Sequence, residues 1–239
     1  LYERSGNWFQ ALEMLEHEAE LVAEPQLSAQ LFERIGRINE EMLLNSSGAV
    51  EAYQKAIGKF PGSLAALEAL KTMAREDEDW GGYARYLEMI LDAVTEPDDR
   101  FELLVEMAQH KEAIEHDDLK AIDLYEEAAE IDSSELECIL ELAELHFRCE
   151  QWVDAGKWYR HAIELMGPNA DGQIACQAHY RLGYTCEKLE KFEQALSCYQ
   201  QAVHADPTSL PALEALAQML LGLERFEEAR EAFEKIISH

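Results

Sequence analysis

Cys149 follows His146 by three positions, and His179 follows Cys176 by three. On a helix each pair could set two metal ligands on one face. One zinc ion needs about four ligands at about 2.0–2.3 Å, so the two pairs would have to converge. Cys138, Cys186 and Cys198 bring the cysteines to an odd total of five, and no CxxC occurs. This argues against a zinc ribbon or a disulfide framework, and for reduced thiols packed as small hydrophobes in a reducing compartment. Adjacent carboxylates such as Glu40-Glu41 and Glu126-Glu127 are frequent. A general acid needs a carboxyl whose surroundings lift its pKa, and nothing here marks one. No GxSxG, Walker-type loop or dinucleotide fingerprint is present. The residues therefore point away from an enzyme: no catalytic residue, no metal site and no cofactor are expected.

The chain has 239 residues, 48% of them hydrophobic, which suffices for a continuous core. No run of about 18 apolar residues exists, so no direct membrane insertion is expected. A charged-then-apolar signal segment is also missing. The first residue is Leu1 rather than Met, which leaves a removed leader or an excised fragment open. The formal charge is −29, from 49 acidic and 20 basic side chains. Such a surface repels phosphate backbones, so nucleic acid is excluded as an expected partner. Basic protein segments are favoured by the same sign, although the charge would also serve simply to keep a long helical surface in solution.

A repeated pattern runs along the chain and is clearest at 176–209, CQAHYRLGYTCEKLEKFEQALSCYQQAVHADPTS. Small residues align at Ala11, Ala49, Ala121, Ala155, Ala195 and Ala229, with Tyr83 irregular. Four positions on stand Leu15, Tyr53, Leu87, Tyr125, Tyr159, Tyr199 and Phe233; three further on stand Glu18, Ala56, Ile90, Ala128, Ala162, Ala202 and Ile236. Offsets of four and seven put these on one helical stripe. A preceding helix in each unit carries its own crossing residue: Gly36, Lys71, Ala108, Ala143, Gly183 and Ala217. The prolines Pro25, Pro61, Pro97, Pro168, Pro207 and Pro211 fall between the expected helices, where a missing amide costs little. The markers are 38, 34, 38, 34, 40 and 34 residues apart, and Trp8, Trp80 and Trp152 recur every 72. The alternation implies a duplicated two-unit block, with the tryptophans packed in its core. Helices are expected at 8–23, 26–44, 46–59, 63–76, 80–93, 97–114, 118–131, 134–148, 152–166, 172–188, 192–205, 209–222 and 226–238.

Leu182-Gly183, Ala195, Tyr199, Ala202 and Pro207 resemble the tetratricopeptide repeat, a helix–turn–helix of about 34 residues. His179 and Cys186 replace its usual aromatics. The resemblance covers nearly the whole chain. It implies an all-α, right-handed superhelical solenoid of about six and a half repeats: 1–24 (truncated), 26–61, 63–96, 97–133, 134–169, 172–208 and 209–239. Both ends cut the pattern, so a longer bacterial array is expected. An end-to-end contact through the uncapped last repeat, with its apolar Phe226, Phe233, Ile236 and Ile237, would then follow.

In that architecture the first helices run parallel and line a concave groove. His146-Cys149 and Cys176-His179 would then sit two to three turns apart, too far for one zinc. The family's groove positions fall on Arg37, Arg75, Leu140, Glu144, Phe147, Tyr180, Tyr184, Glu187, Gln218 and Leu221. The groove is mostly acidic. The Lys and Asn with which some family members hold a C-terminal carboxylate are replaced here by Glu33/Arg37, Glu68/Thr72 and Leu140/Glu144. Leu140, Phe147, Tyr180, Tyr184 and Leu221, ringed by Glu144, Glu187 and Glu214, would make an aromatic patch fit for a peptide or helix, unless those side chains pack against neighbouring helices. The resemblance thus implies a non-catalytic scaffold or adaptor that binds a basic or amphipathic protein segment, in the cytoplasm. The alternatives are a peptide-sensing regulatory domain and a helical arm of a larger enzyme or assembly. The periplasm stays open.

Overall fold

A computed structural model describes residues 7–167 and 170–238, the last without its side chain. The described residues form thirteen α-helices and no strand. They divide into two compact units, Leu1–His110 and Lys111–His239. The first holds α1 (Trp8–Leu21), α2 (Pro25–Arg37), α3 (Ser46–Lys59), α4 (Leu64–Glu76), α5 (Trp80–Ala93) and α6 (Pro97–His110). The second holds α7 (Asp118–Ile131), α8 (Leu136–Arg148), α9 (Trp152–Met166), α10 (Gly172–Lys188), α11 (Phe192–Ala205), α12 (Leu210–Gly222) and α13 (Phe226–Ser238). Within each unit successive helices pair as hairpins: α2 with α3, α4 with α5, α8 with α9, α10 with α11 and α12 with α13.

The stripe of small residues explains the close crossings. Ala49, Ala56, Ala121, Ala128, Ala155, Ala162, Ala195 and Ala202 are all fully buried. Tyr53, Leu87, Tyr125, Tyr159 and Tyr199 stand one turn along and are buried beside them. A tyrosine ring supplies a large apolar area, and four of these hydroxyls, counting that of Tyr83, reach a carboxylate. Tyr53 donates to Glu40 at 2.9 Å, Tyr83 to Glu106 at 2.6 Å, Tyr159 to Glu144 at 2.5 Å and Tyr199 to Glu187 at 2.9 Å.

The turns between first and second helices share one device. Leu44, Glu78, His116, Glu150, Glu190 and Glu224 all have φ between 51° and 59°. The amide of the following residue, three past the helix end, then reaches a carbonyl five back, as in Gln151 to His146 and Lys191 to Cys186. The next residue opens the second helix. Asn7, Asn45, Asp79 and Asp117 accept backbone amides of the new first turn, whereas Gln151 and Lys191 in the same place do not.

Several expectations change. Ile38–Met42 and Lys111–Glu115 are π-helical turns rather than α-helix. They add a residue to the turn, and Asn45 and Asp117 accordingly bond six residues back, to Asn39 and Lys111. On α1 the buried stripe is Ala11, Leu15 and Ala19, and Glu18 is exposed, because a carboxylate gains more from water than from the interface. Pro25, Pro97 and Pro211 lie in the first turns of α2, α6 and α12, not before them, where no helical amide is lost. Trp8, Trp80 and Trp152 are half-buried rather than in the core. Trp80 packs 6.0 Å from Tyr83 and from His110, between ring centroids. On α13 Phe226 and Phe233 are 60% and 38% exposed. The start of the first expected repeat and Pro168 lie outside the described residues.

Candidate functional site

The i, i+4, i+7 spacing of Tyr180, Tyr184 and Glu187 brings them to one face of α10. Pro211, Glu214, Ala215 and Gln218 form the facing arc of α12. Between the two helices lies a cleft of about 570 Å³, within the range of ligand pockets. Phe192 and Tyr199 of α11 and Met219, Gly222 and Leu223 complete its walls. Tyr199 is tied down twice, by its bond to Glu187 and by the Tyr180 ring, 5.9 Å away. Burial and the Glu187 acceptor both push its hydroxyl pKa up, so it stays a neutral donor at physiological pH.

Tyr184 joins a wider aromatic group, 5.4 Å from Phe147 and 6.0 Å from Trp152. Lys188 holds its ammonium 5.1 Å from the Tyr184 ring. A second hollow of about 470 Å³ continues past Tyr180 and Pro211 along Gln177, Arg181 and Asp206. On the other side Leu140 and Glu144 of α8 line a smaller hollow of about 220 Å³ with Tyr159, Ile174 and Gln177.

The eight groove positions expected on the second unit do not line one pocket. Tyr180, Tyr184, Glu187 and Gln218 line the large cleft. Leu140 and Glu144 belong to the smaller hollow. Phe147 is packed between Trp152, Tyr159 and Tyr184, with the Arg181 guanidinium 4.4 Å above it. Leu221 lies at the edge of the α12 arc, 50% exposed and outside the cleft wall. Arg37 and Arg75 are exposed on the first unit. Arg181 was missed, because a charged residue two positions before a crossing glycine reads as solvated surface. Phe192 was missed because it opens a second helix, which the groove register ignores.

Among the described residues no group of three or more His, Cys, Asp or Glu could hold a metal ion. All five cysteines are free thiols. His146 Nδ1 lies 2.5 Å from Gln151 Oε1, and its Nε2 is 3.4 Å from Glu126. Glu141 has its pKa raised by burial and by Glu112, Glu137 and Glu144, against the opposing effect of Arg148.

Profiles of the tetratricopeptide repeat family match residues 135–208 and 188–239. They identify residues 135–239 as tetratricopeptide repeats, and the helices of the first unit pair as hairpins in the same way. Solved structures agree on the fold. A crystal structure of MamA is 19% identical, with a TM-score of 0.59 over 73% of this chain and 90% of its own. MamA from Desulfovibrio magneticus RS-1, from residue 41 to its end, is 17% identical, with a TM-score of 0.55 over 75% and 94%. YrrB, a tetratricopeptide repeat protein with an unusual peptide-binding site, is 18% identical, with a TM-score of 0.53 over 87% and 96%. No curated protein sequence matches significantly. The chain thus has a helical-repeat fold. Among the described residues no helix is long and apolar enough to cross a membrane.

Proposed function

We propose that the chain is a non-catalytic adaptor that holds a basic or amphipathic protein segment against the first helices of its second unit. The cleft between α10 and α12 carries this reading. It presents aromatic and aliphatic walls at Tyr180, Tyr184, Phe192 and Leu223, with a carboxylate rim at Glu187 and Glu214. An apolar floor inside a charged rim is the anatomy of an anchoring site. The net charge of −29 would draw a basic segment in, and that attraction would fade beyond about 8 Å at physiological salt. YrrB, of the same fold, has a peptide-binding site, which supports binding as the use of the fold.

The experiment is selection of binding peptides from a display library on the purified chain, counter-selected on the Tyr180→Ala, Tyr184→Ala double variant. Peptides enriched on the parent should lose at least tenfold in affinity for the variant, while the circular dichroism of the two proteins stays the same. Equal affinity for both would remove the cleft from the reading.

A further inference from the structure

The second unit contains two successive steps between first helices, α8 to α10 and α10 to α12. The positions one and four residues past the crossing residue are occupied in both. On α8, after Ala143, they are Glu144 and Phe147; on α10, after Gly183, they are Tyr184 and Glu187. Each step thus presents one aromatic ring and one carboxylate from the same two places, in exchanged order.

What faces them differs. In the α8–α10 step Arg181, two residues before its crossing glycine, reaches back from α10. Its Nη2 pairs with Glu144 Oε1 at 2.8 Å, and its guanidinium lies 4.4 Å from the centroid of Phe147. The corresponding residue of α12, 34 positions later, is Ala215. Nothing reaches back from it, and the space is the cleft of about 570 Å³. Glu187 there receives the Tyr199 hydroxyl, and among the described residues no cation pairs with Glu187 or Glu214, the Lys188 ammonium lying 5.1 Å from the Tyr184 ring instead. Glu112, Glu144, Glu106 and Glu68, by contrast, are each paired with an arginine or lysine of the chain.

We propose that the α10–α12 cleft is a receptor for one arginine side chain of the bound segment, whose guanidinium takes between Tyr184, Glu187 and Glu214 the place that Arg181 fills in cis between Phe147 and Glu144. The aromatic walls would cover the alkyl stem, and a planar cation over a ring gains both stacking and charge. This rests on the reading of the cleft as the partner contact and names the residue that the cleft selects.

The test uses two synthetic peptides, acetyl-Gly-Ser-Gly-Xaa-Gly-Ser-Gly-amide, with Xaa arginine or norleucine, titrated into ¹⁵N-labelled protein by NMR. The arginine peptide should shift the amides of Tyr184, Ala215 and Gln218 and bind about tenfold more tightly than the norleucine peptide. The Glu187→Gln, Glu214→Gln variant should lose that preference, and Ala215→Arg should close the site to the arginine peptide while helicity is kept. Equal binding of both peptides would overturn the arginine assignment and leave the cleft as an apolar contact. Cleft amides unmoved by either peptide, or an Ala215→Arg protein that binds like the parent, would overturn it as well. The adaptor reading itself is decided separately, by the peptide selection against the tyrosine double variant.

Discussion

Gly183 lies against the ring of Tyr199, so close that a Cβ at residue 183 would come within 2.6 Å of Cε1. Gly36 meets Tyr53 in the same way, at 2.5 Å. The glycine is what lets α10 approach α11 near enough for the Tyr199 hydroxyl to reach Glu187. Gly183→Ala should therefore destabilise the protein by about 1–2 kcal/mol, overpacking at about 1–3 kcal/mol being partly offset by the helix propensity of alanine. The thermal midpoint checks this, and a rise would show that the ring can move aside at no cost. Gly58 and Gly222, whose added Cβ would meet nothing, should gain from the same change.

Alkaline pH should weaken the repeats. Burial first, then the carboxylate acceptors, raise the hydroxyl pKa of Tyr53, Tyr83, Tyr159 and Tyr199 above the ordinary tyrosine value. A folded pKa above the unfolded one means that the protonated hydroxyls contribute fully below about pH 10, and that this contribution is lost as pH rises further. Thermal midpoints measured from pH 8 to 11 should be flat at first and then fall. Tyr199→Phe should cost about 1 kcal/mol at neutral pH and make the alkaline fall shallower. An unchanged alkaline slope in that variant would count against the account.

The turn at Lys191 invites improvement. Asp79 and Asp117 cap their helices through side-chain oxygens, and Lys191, in the equivalent place before α11, does not. Lys191→Asp should stabilise by about 1 kcal/mol, and Asp79→Ala should cost about as much. Glu190 just before it has φ of 58°, so Glu190→Gly should gain several tenths of a kcal/mol, the αL cost being relieved at some expense in chain entropy. Urea midpoints of the three variants measure all of these.

One thiol of the α10–α11 pair should titrate near neutrality. The Cys198 thiol stabilises the Cys186 thiolate, with help from Arg160 and Lys191, and pulls Cys186 down to about 7 against the effect of burial. Cys198 is pushed up in turn by the thiolate it faces. Ultraviolet thiolate absorbance should show one ionisation near pH 7 in the parent. In Cys198→Ala it should move to the ordinary thiol range or above, since burial then acts with only the two cations opposing it.

Most of the hairpin architecture was legible in the residue pattern, because burial of a crossing interface demands small residues at fixed helical offsets. Ala49, Ala155 and Ala195 announce their helices from sequence alone. The π-helical turns after Arg37 and His110 were not legible, although the 38-residue spacings that contain them were. An inserted residue is visible as length, but whether it widens the last turn or lengthens the loop depends on where Asn39 and Lys111 find amide partners. The half-burial of the tryptophans was likewise undecided, since hydrophobicity does not say how much of an indole the neighbouring helices can cover.

The sequence by itself determined that the chain is a stack of helical hairpins, about where most of its helices lie, that it is strongly acidic, and that Tyr180, Tyr184 and Glu187 share one face. Those follow from local periodicity and charge, which need no knowledge of neighbours. Only the tertiary structure decided that Phe147 is covered by Arg181 while the next step, at Ala215, stands open. That depends on the approach of side chains from helices more than thirty residues apart, and whether a pocket is filled or empty is set by that approach.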